Sequence, residues 1–454
     1  APPAPGPIVG TIEVRVTLND RPQHPERPIP TPDPAARERA VLVGLDLPDL
    51  HGGLAERLEE LALLADTAGC DTLAAVTQAR DKPDTRAYLG KGKIEEVAAL
   101  AAELEATVII VDSELTPSQA RNLEEALDLR VVDRTQLILE IFSRRASTRL
   151  ARDQVELAQL QYELPRFRRM WTHLSRIEGG ARGGGSGTAR GPGERQLEVD
   201  RRRARERIHR LRQRLQESEA QKAVATASRG SIFTVSLVGY TNVGKSTLMN
   251  ALTGTELLAE NRLFATLDAT TRRLTVDGQE LLLSDTVGFI RDLPHALVAS
   301  FHATLAEVRE ADLLLHVVDI ASPELDEQIA AVRAVLTEIE AHEQPTLMVF
   351  NKLDALDPGL DPEGIAARHG GGLLVSAQTG EGLDALRAEL AGRARAEHGP
   401  VELLIPYSDA RAAAQAEARG QVQSREYEDG GVRLVVVLPA EDRARLADYV
   451  VQPG

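Results

Sequence analysis

With one cysteine in 454 residues, Cys70, this chain cannot close an internal disulfide, which removes the stapled secreted scaffolds. Aromatics make up only 3%, so any core must be aliphatic, which favours helices and α/β layers over an all-β sandwich. No apolar run approaches the roughly 20 residues of a membrane span. Ala1 to Gly10 lacks the basic-then-apolar order of a secretory signal. These absences lead to an expected cytoplasmic location. The length exceeds one hydrophobic core and suggests about three domains.

A net charge of −16 would count against a polyanionic partner if it were evenly spread. It is concentrated instead. Between Glu140 and Leu215 there are 19 Arg against 9 Asp/Glu, a local +10 that leaves −26 for the remainder. A basic module on an acidic body suggests a polyanionic partner at that module.

Residues 1–39 are proline-rich and read as an extension with one short Val/Ile segment. Residues 40–134 alternate apolar strands (Val41–Asp46, Thr72–Thr77, Thr107–Asp112, Arg130–Asp133) with helical stretches (Leu54–Thr67, Ile94–Glu105, Thr116–Leu127). Such alternation predicts βα units on a parallel sheet. Residues 135–228 form a basic segment. A helix over Thr135–Leu164, with no breaker before Pro165, and a second over Glu194–Ala225 flank a Gly-rich loop, Gly179 to Gly193. Two long helices joined by a loop predict an antiparallel hairpin. Residues 229–398 return to alternating strands and helices, and 399–454 read as a small α+β domain.

The apolar run Phe233–Val238 leads directly into Gly239-Tyr240-Thr241-Asn242-Val243-Gly244-Lys245-Ser246. G-x-x-x-x-G-K-S between a strand and a helix is a phosphate-binding loop. Glycines let successive N–H groups face phosphate oxygens, Lys245 reaches the β- and γ-phosphates, and the Ser246 hydroxyl suits Mg²⁺. The bland alternative is a glycine turn, disfavoured by the flanking elements. A second strand ends in Asp285-Thr286-Val287-Gly288, where a carboxylate can hold Mg²⁺ through water and Gly288 admits a backbone N–H to the γ-phosphate. A third ends in Asn351-Lys352-Leu353-Asp354, whose carboxylate can accept from guanine N1–H and N2–H; adenine offers no such pattern. A fourth ends in Ser376-Ala377-Gln378, beside the guanine O6. Each of the last three is an ordinary polar turn in isolation. Together, in order, at strand ends, they describe one GTP crevice.

Between the first two motifs lies Phe264-Ala265-Thr266-Leu267-Asp268. A threonine here closes the Mg²⁺ shell when γ-phosphate is present, and Thr266 is the choice, with Thr270 and Thr271 as rivals. Lys245, Thr266 and Gly288 are the expected catalytic set, with Ser246 and Thr266 on the metal. After Gly288 stands Phe289, where well-known GTPases place the Gln that orients water. Slow intrinsic hydrolysis is the expectation.

The strings GYTNVGKST, FATLD, DTVGFIRDLP and NKLD resemble the HflX family of ribosome-associated GTPases. So does Gly191-Pro192-Gly193-Glu194-Arg195-Gln196-Leu197-Glu198-Val199-Asp200-Arg201-Arg202, outside the generic GTPase set. Arg195 departs from the Thr usual there. The likeness runs from about Leu42 through the G domain. It implies an α/β protein: a P-loop GTPase domain with an N-terminal parallel α/β domain, a helical hairpin and a small C-terminal α+β domain. It implies GTP/GDP with Mg²⁺ as ligands and the 50S ribosomal subunit and its rRNA as partner, with splitting or rescue of stalled ribosomes by some members. It also implies an ATP site at Tyr88-Leu89-Gly90-Lys91-Gly92-Lys93, where a plain turn has equal claim. A monomer is expected.

The hairpin fits an RNA surface, with Phe167 and Trp171 set among Arg166, Arg168, Arg169 and Arg176. Packing of those aromatics between the helices, with the arginines merely solvated, is the competing reading. A GTPase acting on another RNA, in tRNA modification or as a remodelling switch, is the alternative function. No cysteine nucleophile or cofactor motif speaks for it.

Overall fold

In a computed structural model the described residues are 37–48, 53–166, 192–227, 232–254, 263–264, 267, 270–438 and 440–451. They fall into two compact units. Residues 1–36 of the proline-rich extension, residues 167–191 with Phe167, Trp171 and most of the Gly-rich loop, and Ala265, Thr266 and Asp268 lie outside the described residues; β1 begins at Glu38 and the long helix at Pro192, each a little earlier than expected.

The first unit contains strands β1 (Glu38–Asp46), β2 (Cys70–Ala79), β3 (Val108–Val111) and β4 (Arg130–Asp133) in a sheet ordered β2-β1-β3-β4. Every pair is parallel. The apolar run from Ala40 to Val43 is essentially inaccessible, as expected of a parallel strand covered on both faces. Helix α1 (Leu54–Thr67) buries Leu58, Leu61, Leu64 and Ala65, one stripe at helical spacing. Helix α2 (Lys91–Glu103) buries Val97 and Ala101, and helix α3 (Pro117–Leu127) opens with a capping box in which Thr116 and Gln119 exchange bonds. Asp112, at the end of β3, receives Arg57 Nε at 2.7 Å and Arg134 Nη1 at 2.9 Å, and Arg134 also reaches Glu60. That network is buried.

The expected single helix from Thr135 to Leu164 is two helices, α4 (Arg134–Arg145) and α5 (Arg149–Glu163). Ala146 is extended, and Thr148 accepts a bond from Ala151 N to cap the second helix. No Pro or Gly marks the break, but Ser147-Thr148 provides a hydroxyl start signal. Residues Leu293–Ser300 belong to this same unit, and their helix, His295–Ser300, packs on α5. The long helix Pro192–Ala227 buries Ala204, Ile208, Leu211 and Leu215 at spacings of four and three. Arg207 grips Glu156 of α5 through two bonds of 2.6 Å.

Arg166 differs from its expected role. Its guanidinium donates to Asp133 at 3.0 Å and to Leu115 O at 2.7 Å, and it stacks over the Tyr162 ring at 3.4 Å. An arginine held this way ties the end of α5 to β4 and does not face RNA.

The second unit holds β5 (Phe233–Val238), β6 (Thr270–Val276), β7 (Gln279–Asp285), β8 (Leu313–Asp319), β9 (Thr346–Asn351) and β10 (Leu373–Leu374), ordered β10-β9-β8-β5-β7-β6. Only β6 runs antiparallel, against β7. The first strand, β5, lies between β7 and β8, so the connections diverge at its carboxyl end and open a crevice there. A second sheet, β11 (Val401–Pro406), β13 (Gly431–Val437) and β12 (Gln421–Glu428), is antiparallel. It packs with helix Ala410–Arg419 around Leu403, Ile405, Ala416, Leu434 and Val436.

Candidate nucleotide-binding site

The P-loop leaves β5 at Val238 and enters helix Lys245–Thr253 with the backbone its glycines permit. Gly244 sits at φ +91°, and a Cβ there would lie 2.4 Å from Asn351 Nδ2. A Cβ on Gly239 would lie 2.3 Å from Val317 O. Both positions therefore exclude side chains on contact grounds, and Gly244 on conformational grounds as well.

Lys245 is buried and curls across the loop, donating to Tyr240 O at 2.8 Å and Gly239 O at 3.1 Å. Burial pushes its ammonium down to about 8, with Asp285 partly opposing the shift. Beside it, Ser246 Oγ donates to Asp285 Oδ2 at 2.6 Å. Thus the first two motifs meet. Hydroxyl and carboxylate oxygen suit a hard ion such as Mg²⁺. Gly288 faces the same point: a Cβ there would stand 3.1 Å from Lys245 Nζ and 2.9 Å from Thr241 Cγ2.

Phe289 is fully buried, and its backbone is laced to the P-loop by Phe289 N to Gly239 O at 3.0 Å and Thr241 N to Phe289 O at 2.7 Å. It packs beneath the loop. Thr286 is likewise inward, donating to Leu237 O at 2.6 Å. Thr271 Oγ1 pairs with Ser284 Oγ at 2.9 Å and Thr270 opens β6, so both rivals to Thr266 are strand residues.

The third and fourth motifs also converge. Asn351 donates to Val243 O at 2.9 Å and accepts from Ala377 N at 2.9 Å, joining the P-loop, β9 and the Ser376 turn. Asp354 accepts from Ser376 Oγ at 2.5 Å. Lys352, in left-handed backbone at φ +62°, pairs with Asp319 at 2.8 Å. Asp319 was not singled out from the sequence; its place at the end of β8, level with Asn351 in the ladder, was the available signal. Tyr240, Val243, Phe264 and Leu267 are buried, and Gln378 is exposed.

Family models cover the chain in three consecutive blocks. "GTP-binding GTPase N-terminal" matches residues 55–143, "GTP-binding GTPase Middle Region" 145–229 and "50S ribosome-binding GTPase" 234–352. The chain is 48% identical over 413 residues to GTPase HflX of Magnetococcus marinus, covering 89% of this chain and 94% of that protein. It is 44% identical over 398 residues to GTPase HflX of Escherichia coli, covering 86% and 92%. This chain belongs to the HflX family of GTPases. It binds and hydrolyses GTP, as a family with this P-loop α/β fold does. Among solved structures, the SsGBP and GDP complex aligns at 24% identity over 79% of this chain and 98% of that one. The TM-score of that alignment is 0.46.

Among the described residues no helix is long and apolar enough to cross a membrane.

Proposed function

We propose that this HflX-family GTPase binds the 50S ribosomal subunit and uses its GTP cycle to split or rescue stalled ribosomes. The observation that carries this is the outward face of the long helix Pro192–Ala227. Beside its apolar stripe, Arg202, Arg205 and Arg212 are exposed in one row with His209 between them, spaced three or four residues apart; Arg202 also lies 3.5 Å from Glu206. Phosphates of rRNA are the matching partner. The family block described as ribosome-binding supports the same reading. Cytoplasmic location, a monomeric state and the five-segment division given above belong to this proposal.

In the nucleotide crevice, Lys245 and the P-loop amides would hold the β- and γ-phosphates, and Asp354 with Ser376, Ala377 and Gln378 would read guanine. Ser246 and Thr266 would hold Mg²⁺, with Asp285 behind. When bound, the ion neutralises charge developing on the phosphates. Gly288 would let a backbone N–H approach the γ-phosphate. Neither Phe289 nor Thr286 faces the reacting group, so the chain supplies phosphate binding and leaves orientation of water to a partner or a reordered loop.

An ATP site at Gly90 to Lys93 is a further part of the proposal. Gly90 N donates to Gln78 Oε1 at 3.0 Å, Lys91 is exposed, and Lys93 pairs with Glu96 at 2.7 Å. Binding of labelled ATP in the presence of saturating GDP tests it, and loss of that signal in Lys91→Ala is the expected result.

The central test is co-sedimentation with purified 50S subunits in a GTP analogue and in GDP. Tight association in the analogue alone supports the reading. Association with tRNA but not 50S would move it to the alternative RNA function. Light scattering of 70S ribosomes then separates splitting from binding.

A further inference from the structure

A cleft of about 690 Å³ opens in the second unit, at the amino-terminal ends of β9 and β10. Its volume is that of a small-molecule site. It is not the nucleotide crevice. None of its lining residues belongs to the four nucleotide motifs; His316, at its floor, pairs with Val238 just before the P-loop on one side and on the other with Met348, three residues before Asp319 and Asn351. At about 3.3 Å per residue that is roughly 10 Å along the strands.

Among the described residues no Asp or Glu lines this cleft, while Arg333, Arg393, His342 and His369 do. Arg393 is paired with Glu389 at 2.7 Å, and His369 lies 3.4 Å from Asp326. Arg333 is exposed and has no ion-pair partner among the described residues. The rest of the lining is mixed, Leu336, Leu347 and Met348 alongside Thr337, Gln344 and Thr346. The glycine run Gly370 to Gly372 brings its backbone against it, and a Cβ on Gly372 would lie 2.6 Å from Met348 O.

His316 is the decisive residue. It is 1% exposed, yet its Nε2 has no hydrogen-bond partner among the described residues. Buried polar atoms are nearly always paired, and the exceptions call for an explanation. Burial, aided by the charges of Arg333 and Lys245, pushes the imidazole down to about 3. It is therefore neutral at physiological pH. A neutral ring offers one directional bond without repelling a ligand drawn in by guanidinium groups.

We propose that this cleft is a second ligand site, taking a small phosphate monoester whose phosphate meets Arg333 and Arg393 and whose body hydrogen-bonds His316. Arg333, with no carboxylate partner among the described residues, supplies the charge, Arg393 can extend its fork past Glu389, and a guanidinium matches phosphate geometry. Leu336, Leu347 and Met348 beside the hydrogen-bonding groups of His316, Thr337 and Gln344 suit a compact organic body. Inorganic phosphate and AMP are the probes, the first offering the head group alone.

The experiment is titration of the full chain saturated with GDP, so that the nucleotide crevice is occupied. Changes at the His316 imidazole are followed by NMR, and affinity by calorimetry. AMP is expected to bind, more tightly than inorganic phosphate, and to shift the His316 signal. Arg333→Ala, an exposed change that leaves the core alone, should weaken both probes about tenfold or more, as expected when one charge-assisted hydrogen bond is removed. His316→Phe should weaken AMP and leave phosphate nearly unchanged. Basal GTP turnover should stay at the wild-type rate in Arg333→Ala. Absence of binding by either probe at about 10 mM, weaker than any useful affinity, overturns the proposal. So does binding that Arg333→Ala leaves unchanged, since it would then lie elsewhere.

Discussion

At Asp354 a single carboxylate carries base identity. Ser376 Oγ holds one of its oxygens at 2.5 Å, and each carboxylate oxygen keeps a second acceptor direction. A rigid acceptor pair facing guanine N1–H and N2–H rejects a base without those donors. Asp354→Asn replaces one acceptor with a donor, which matches the extra carbonyl of xanthine. The expected outcome is an exchange of preference from GTP to XTP, of order 10⁴-fold for a site built around a buried hydrogen-bond pair. Competition of the two nucleotides for the variant measures it, and an undiminished preference for GTP would refute the assignment. Lys245 makes a second residue-scale case. Its folded value of about 8 lies below the ordinary 10.5 because the ammonium is buried. Between those values the unfolded chain holds the extra proton, so stability rises with pH across that window. Below pH 8 the burial cost stands in full, about 3 kcal/mol at roughly 1.4 kcal/mol per unit. Urea unfolding of the nucleotide-free chain should therefore find Lys245→Met more stable than wild type at pH 7. By pH 9.5 the gap should narrow by about 2 kcal/mol. A constant gap would mean that Lys245 titrates normally.

Elements were legible where one period dominated. Helix Leu54–Thr67 and strand Arg130–Asp133 lie where the apolar pattern set them, because one buried stripe decides the helix and a short run buried on both faces decides the strand. The helix expected from Ile94 begins at Lys91. Gly90 starts it, and the first turn carries polar residues that apolar periodicity does not register. The run from Thr135 to Leu164 shows a subtler limit. Its apolar spacing continues through the break, and only the cap at Thr148 distinguishes two helices from one. Long-range partners were illegible altogether. Arg166 reads as one cation among many, and its tie to Asp133, 33 residues away, comes from the sheet. At the candidate site the four motifs were readable because each is contiguous. The bond from Asn351 to Val243, 108 residues apart, was not, and neither was the solitary polar atom of His316 inside an apolar strand. Thr148→Ala gives the element-scale prediction. Losing the bond to Ala151 N should destabilise by about 1 kcal/mol, the usual worth of such a cap. A shift in urea midpoint for the unit containing α5 checks it, and no shift would mean that packing alone sets the break.

For the whole molecule, the charge map and the catalytic site make one combined demand. Phe289 is locked beneath the P-loop by two backbone bonds and is 1% exposed, so it cannot swing out to position water. Removing it would damage the loop without creating a water-orienting group. Acceleration must come from outside or from a rearranged loop, and the partner must first be held by the basic row. GTP turnover by the free chain should accordingly be slow, and saturating 50S subunits should accelerate it. Below saturation the same subunits should act less on a variant in which Arg202, Arg205 and Arg212 are Ala, while GTP affinity without ribosomes stays unchanged. Salt separates the steps. For every arginine that no longer meets a phosphate, the slope of log K for 50S binding against log salt should fall by about 0.7 to 0.9. Stimulation at saturating 50S depends on the completed site and should be far less sensitive to salt. Arg166→Ala should behave differently from these three, because its guanidinium bonds Asp133 and Leu115 and is not available to a phosphate. Its salt slope should match wild type while stability falls. If free turnover is already fast and 50S subunits leave it unchanged, the chain completes its own catalytic site, and the proposed dependence on the ribosome is wrong.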